Sequence, residues 1–212
     1  MTGSEPTRRR IGIMGGSFDP VHTGHVALAE SALQHLQLDE VRWVPVGQAW
    51  QKSRQLTQAE HRLNMVKLAT AHEPRFVVDA IEVNRPGPSY TLDTVRAFQS
   101  QAGSSACDWF LIMGLDQYRN LPTWHGWQEL LNRVQVAVAC RDAAAMPELN
   151  LGRATALPMP PLSVSSTTIR QQILAGADPK TLVPTMVSDA VARYIAQHQL
   201  YADRHPPLNG HP

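Results

Sequence analysis

A doubly wound α/β fold around one parallel sheet follows from three features of this sequence. Short β-like runs alternate with helical patterns, the central runs are apolar throughout, and a chain of 212 residues can bury one sizeable core. Continuously apolar strands belong in a sheet covered by helices on both faces, because both surfaces of each strand then leave water. One domain is expected over 10–201, between a flexible N-terminal tail over 1–9 and a flexible, proline-rich C-terminal tail over 202–212.

The first strand is Ile11 to Met14, which ends at Gly15-Gly16, and a helix follows after His25. Val41 to Val44 is the second strand. The next helix lies near Glu60: Thr57 to Glu60 reads as a capping box, and Leu63, Val66 and Ala69 or Thr70 fall on one face. Phe76 to Val78 is a third strand. Thr91 opens a helix whose core side carries Leu92, Val95 and Phe98, and Trp109 to Met113 and Val134 to Cys140 are buried strands. The proline-rich stretch from Leu157 to Leu162 reads as a loop. Ser166 caps a helix with Ile169, Ile173 and Leu174 inward and Gly176 at its end, and Val187, Val191 and Ile195 mark a last helix.

Composition narrows the partners. Nineteen basic against eighteen acidic side chains leave a formal charge of +1, so the chain has no overall footprint for a nucleic-acid backbone and any phosphate recognition must be local. No apolar run approaches the roughly eighteen residues of a membrane span. Behind the basic N-terminal residues there is no apolar segment of the kind a secretion signal needs, since Ile11 to Met14 gives way at once to glycines. Two cysteines, Cys107 and Cys140, cannot build a disulfide framework or a four-ligand zinc site, and a reducing, cytoplasmic setting is expected.

Chemistry concentrates in IGIMGGSFDPVHTGH, residues 11 to 25. Glycines at the end of a first parallel strand let backbone N–H groups approach phosphate, and the following helix N-terminus adds partial positive charge. Neither a Walker loop nor the Gly-x-Gly-x-x-Gly fingerprint is present. His22 and His25 are three apart at the loop-to-helix junction, so both imidazoles can face one pocket while Gly24 leaves room for a ligand. Imidazole N–H groups can donate to phosphoryl oxygens as charge builds. On spacing alone, a structural pair is the more ordinary alternative, and a metal site is the rarer one.

GGSFDPVHTGH resembles the signature of the adenylyltransferase branch of the His-x-x-His nucleotidyltransferases, a superfamily similar in its core to class I aminoacyl-tRNA synthetases. Together with the motifs below, the chain resembles the bacterial nicotinate-nucleotide adenylyltransferases over roughly Arg10 to Tyr201. The resemblance implies a Rossmann-like sheet and magnesium-supported attack on the α-phosphorus of ATP, with nicotinate mononucleotide as acceptor and no covalent enzyme intermediate. It also implies that Gly15, Gly16, Ser17 and Phe18 bind ATP and that His22 and His25 steady its phosphates.

Val164 to Arg170 is similar to the family's Ile-Ser-Ser-Thr-x-x-Arg. By that likeness Ser165, Ser166 and Thr167 meet ATP, and Arg170 is a catalytic fork for the β and γ phosphates; a plain capped helix is the alternative. The resemblance sets Gly114 and Asp116 against the adenosine ribose, at a strand's carboxyl end, although a buried strand-end aspartate capping the next loop is also possible. Pro88 to Thr91 and Pro122 to Trp124 resemble the two segments of the pyridine pocket, in which N–H groups near Tyr90 and Thr91 hold a carboxylate and Trp124 stacks on the ring.

One segment departs from the family. Ala49-Trp-Gln-Lys52 stands where many members have Pro-Pro-His-Lys, so only Lys52 is carried over, as an acceptor-binding cation. His61, His72, His125 and His198 match no motif and read as ordinary surface or helix residues. Mg2+ is expected to accompany ATP, with Asp19 or Asp116 the nearest candidate ligands and no side chain assigned to it. Three rivals are a relative using another acceptor (nicotinamide mononucleotide, a pantetheine phosphate or a cytidylyl partner), a metallohydrolase built on the histidine pair, and a non-catalytic nucleotide-binding module. Monomer and homo-oligomer are equally compatible with the sequence.

Overall fold

The computed structural model describes residues 8–48, 56–102, 107–140, 151–159 and 162–202. Six strands form one sheet: β1 (Arg9–Gly16), β2 (Glu40–Pro45), β3 (Phe76–Val78), β4 (Cys107–Gly114), β5 (Gln135–Cys140) and β6 (Ala154–Pro158). Their order is β3-β2-β1-β4-β5-β6, and every pairing is parallel. This is the Rossmann order, in which the winding direction reverses between β1 and β4. Among the described residues there are seven α-helices, five between strands, α1 (Thr23–His35), α2 (Ala59–Thr70), α3 (Thr91–Ala102), α4 (Leu115–Asn120) and α5 (Trp127–Arg133), and two after β6, α6 (Ser166–Leu174) and α7 (Asp189–Gln197).

Alternation along the central strands explains why they are apolar without a break. In β4, Phe110 and Ile112 enter a core shared with α1, α2, α6 and α7, whereas Trp109, Leu111 and Met113 enter the opposite core with α3 and α5. Ile11 and Ile13 of β1 lie on the second face. Between them Gly12 packs so closely that a Cβ would stand 2.7 Å from Ile112 and 2.9 Å from Leu38. Among the described residues no helix is long and apolar enough to cross a membrane.

Several expected boundaries move. The proline-rich stretch expected as a loop supplies the last two residues of β6, of which Leu157 is fully buried and Pro158 ends an edge strand, where proline costs no ladder bond. The expected Thr57 capping box is absent: α2 starts at Ala59 behind Gln58 with no side-chain cap, because the Thr57 N–H donates to Asp19 and its carbonyl accepts from Arg62. The buried stripe of α2 is Arg62, Met65, Val66, Ala69 and Thr70, with Leu63 only half-buried. Ser165, not Ser166, caps α6 by accepting from the Thr168 N–H, and Leu174 is 58% exposed rather than inward. Gly176 does end α6, with φ +93 and its N–H on the Ile173 carbonyl. Helices α4 and α5 have six and seven residues, too few for a periodic pattern to announce them.

Candidate active site

Two adjoining cavities open at the carboxyl ends of β1 and β4, where the winding reverses. The larger, about 710 Å³, is walled by His22, Gly24, His25, Gly114, Asp116 and Ser166. The smaller, about 130 Å³, is walled by Glu82, Tyr90, Thr91, Trp124 and His125. Gly15, Gly16 and Ser17, with Ile112, Met113 and Gln117 beneath, belong to both walls. The glycine loop is thus the partition at which the contents of the two cavities would meet.

Each glycine has its own reason. A Cβ on Gly15 would meet no heavy atom within 4 Å, so this position leaves the backbone open to the cavity, whereas one on Gly16 would stand 2.9 Å from the Phe18 ring. Phe18 itself is 1% exposed and turned inward, with its ring edge-on to His25 at 5.1 Å and tilted against Trp43 at 5.4 Å. Its side chain braces His25 from below and is not part of either cavity wall.

The histidine pair is set by the start of α1. His22 is the extended residue ahead of the helix, and its backbone N–H donates to His25 Nδ1 at 3.2 Å. Since Nδ1 of His25 accepts, the neutral ring carries its proton on Nε2, which makes that atom a donor. The two rings stack at 3.6 Å with 25° between planes. Burial lowers the His22 pKa from 6.5 to about 4, so the pair is not doubly charged at neutral pH. His22 Nδ1 is buried without a hydrogen-bond partner. The room that Gly24 leaves is taken first by the protein: a Cβ there would lie 3.1 Å from both His22 Nδ1 and Val164.

The stack sets the nitrogens of the two rings in near-parallel planes. Among the described residues no group of three or more His, Cys, Asp or Glu side chains could hold a metal. The two carboxylates considered for magnesium differ sharply. Asp19 is fully buried, with Oδ1 accepting from the Tyr201 hydroxyl at 2.8 Å and Oδ2 from the Thr57 N–H at 3.3 Å, so it is a structural hub. Burial, then the Asp19 charge, pushes the Tyr201 phenol far above its usual range, and it stays a donor. The Asp116 side chain is 95% exposed at the cavity mouth, 3.8 Å from Arg119, and is not a buried strand-end cap.

The second motif divides. Ser166 walls the larger cavity and donates to the Pro20 carbonyl at 2.8 Å, while Ser165 serves the helix end. Arg170 donates to the Asp19 carbonyl at 2.7 Å and to Thr167 Oγ1 at 3.2 Å, in a separate shallow cleft with Gln171 and Tyr201. The structure therefore does not bring Thr167 and Arg170 onto the wall that holds the histidines.

The smaller cavity gathers Tyr90, Thr91 and Trp124 as expected and adds residues the sequence did not single out. His125, read as ordinary, lies over the Tyr90 ring at 4.4 Å and shares the cavity wall. Its one signal was adjacency to Trp124. Glu82 is 6% exposed, its Oε1 accepting from Thr94 Oγ1 at 2.7 Å while Arg85 donates to the same hydroxyl at 3.3 Å. Burial raises its pKa, opposed by Thr94, Arg85 and Ser89. A lone glutamate in a polar loop offers no spacing by which to find it. His61 and His198 pack with Tyr194 between α2 and α7, and His72 pairs with Glu30, away from both walls. Lys52 and the segment 49–52 lie outside the described residues.

The sequence matches the model of the Cytidylyltransferase-like family over residues 13–172. It is 52% identical to a protein of Methylibium petroleiphilum described as "Probable nicotinate-nucleotide adenylyltransferase", covering 97% of each chain. A protein of the same description from Bordetella pertussis is 41% identical over 91% of this chain and 98% of its own. Among solved structures, the nicotinic acid mononucleotide adenylyltransferase of Plasmodium falciparum complexed with NaAD superposes with a TM-score of 0.73 at 20% identity, covering 91% of this chain and 97% of that one. At that identity the likeness concerns the fold.

Proposed function

We infer the chemistry from a family premise: this chain belongs to the nicotinate-nucleotide adenylyltransferases, within the Cytidylyltransferase-like family, and transfers the adenylyl group of ATP to nicotinate mononucleotide. The products are nicotinate adenine dinucleotide and pyrophosphate, a step of NAD biosynthesis. The observation that carries this reading beyond membership is the shared wall of Gly15, Gly16 and Ser17 between the two cavities. A two-substrate transfer needs its reactants to meet across one partition.

ATP occupies the larger cavity in this proposal, with its ribose by Gly114 and Asp116 and its phosphates along the glycine loop and the histidines. The acceptor's ring lies in the smaller cavity, between Trp124 and the tilted Tyr90–His125 pair, with its carboxylate at the start of α3. A phosphate oxygen of the mononucleotide attacks the α-phosphorus. The bond to the bridging oxygen breaks, and pyrophosphate leaves with the electron pair. The nucleophile is already anionic, so no general base is required. Catalysis rests on alignment and on donors such as His25 Nε2 that strengthen as charge moves to the leaving oxygens.

Magnesium enters with ATP in this reading and, when bound, neutralises charge on the triphosphate oxygens. Of the two carboxylates considered for it, the exposed Asp116 at the cavity mouth could meet such an ion, whereas the buried Asp19 already accepts from Tyr201 and Thr57. A chain with two cysteines, too few for a disulfide framework, suits a cytoplasmic location.

The test is pyrophosphate release from ATP with the acid and the amide mononucleotides, on the parent protein and on His25→Ala. The acid should be preferred, and the variant should lose about 10² in kcat with its fold intact. Equal rates with the amide would overturn the acceptor assignment. ATP binding without pyrophosphate release would leave a nucleotide-binding module.

A further inference from the structure

Arg62 of α2 is 1% exposed, although its side chain carries a charge. A guanidinium is tolerated at such depth when its donors are taken up, and the fork here is spread across three backbone carbonyls. Nε donates to Thr57 at 2.8 Å, Nη1 to Ser17 at 3.0 Å and Nη2 to Gly47 at 3.2 Å. These carbonyls belong to three segments. Ser17 lies in the glycine loop that separates the cavities, Gly47 lies just after β2, and Thr57 lies just before α2. One side chain therefore grips the partition and both ends of the crossing from β2 to α2.

The grip also reaches the smaller cavity. A Cβ on Gly47 would stand 2.0 Å from the Glu82 carbonyl oxygen, so this backbone lies directly against the segment that bears Glu82. The Gly47 N–H donates to Ser89 Oγ at 3.2 Å, and Ser89 and Glu82 both wall that cavity. At the other end of the fork, the peptide unit after Ser17 is planar, so a carbonyl drawn toward α2 turns the Phe18 N–H the opposite way. The direction of the loop's donors and the seat of the pocket wall are thus fixed by the same planar group.

We propose that Arg62 is a positioning residue for adenylyl transfer, tying the glycine loop to the wall of the smaller cavity so that the two reactants are held in register. It touches neither reactant and acts through Ser17 and Gly47. The proposal rests on the two-substrate reading above. Its consequence falls on alignment more than on binding: misplacement by about 1 Å costs on the order of 10² in rate while each reactant can still occupy its own cavity.

Arg62→Lys and Arg62→Met separate this role from a purely structural one. Circular dichroism and thermal melting report folding, and kcat with the separate KM values for ATP and nicotinate mononucleotide report function. A folded Arg62→Lys protein should lose about 10-fold to 100-fold in kcat, with each KM within about 3-fold of the parent, and Arg62→Met should lose more. Parent kcat per folded molecule in either variant overturns the proposal, as does a loss confined to KM. If even the lysine protein does not fold, Arg62 serves the fold alone and the proposal is likewise overturned. A parent protein that makes no dinucleotide from ATP and the acid defeats the functional reading instead, whatever the variants do.

Discussion

Burial keeps His22 neutral, and this makes the fold sensitive to acid at that residue. Its pKa stands at about 4 in the folded protein against 6.5 in the unfolded chain. Between those values the unfolded chain takes up a proton that the folded protein refuses, so stability falls as pH drops from 6.5 toward 4. The full effect is of order 3 kcal/mol. Histidine NMR should find one ring titrating near pH 4, and His22→Gln should flatten the decline of melting temperature over that window; a ring titrating near 6.5 would contradict the burial. Residues of this kind were legible in part. Gly15, His22 and His25 stand in the run GGSFDPVHTGH, legible through its resemblance to a family signature and not through spacing alone. Phe18 sits in the same run yet works from beneath the site, and no one-dimensional pattern separates a residue that lines a cavity from one that supports the lining. Glu82 was invisible because its partners Ser89, Arg85 and Thr94 converge only when the loop folds.

Elements were legible where they are long or buried on both faces. The apolar runs of β1, β4 and β5 declare a covered parallel sheet, and the four-residue spacing in α7 places Val191 and Ile195 inside. The edge strand β6 escaped because a proline-bearing run with one buried leucine reads as punctuation, and it becomes a strand only through its ladder with β5. The start of α6 was misplaced by one residue because a better-placed side chain took the cap. At α6 that side chain is Ser165, whose Oγ accepts from the Thr168 N–H at 3.1 Å, while the neighbouring Ser166 hydroxyl is turned to Pro20. Ser165→Ala should therefore lower unfolding free energy by about 1 kcal/mol in urea titrations, the usual worth of an N-cap. No measurable change would mean that α6 begins elsewhere.

At the scale of the molecule, the glycine loop near the N-terminus is fastened by the far end of the chain. Thr23 donates its backbone N–H to Met186 and its hydroxyl to Thr185, each at 2.9 Å, Arg170 holds the Asp19 carbonyl, and Tyr201 holds the Asp19 carboxylate. The reversal of winding between β1 and β4 opens the crevice, and the segment after β6 closes round its rim. Such closure cannot be read from periodicity, since it joins residues more than a hundred positions apart whose types are unremarkable in their local context. It does fix an expectation for Tyr201→Phe. The substitution keeps the ring and removes one donor from a buried carboxylate, and a hydrogen bond to a charged group contributes about 2 kcal/mol. Stability in denaturant should fall by that order. Because Asp19 lies between Phe18 and Pro20 in the loop itself, kcat should fall with it, measured at a temperature where the variant remains folded. A Tyr201→Phe protein with parent stability and parent kcat would mean that the C-terminal segment rests on the loop without holding it.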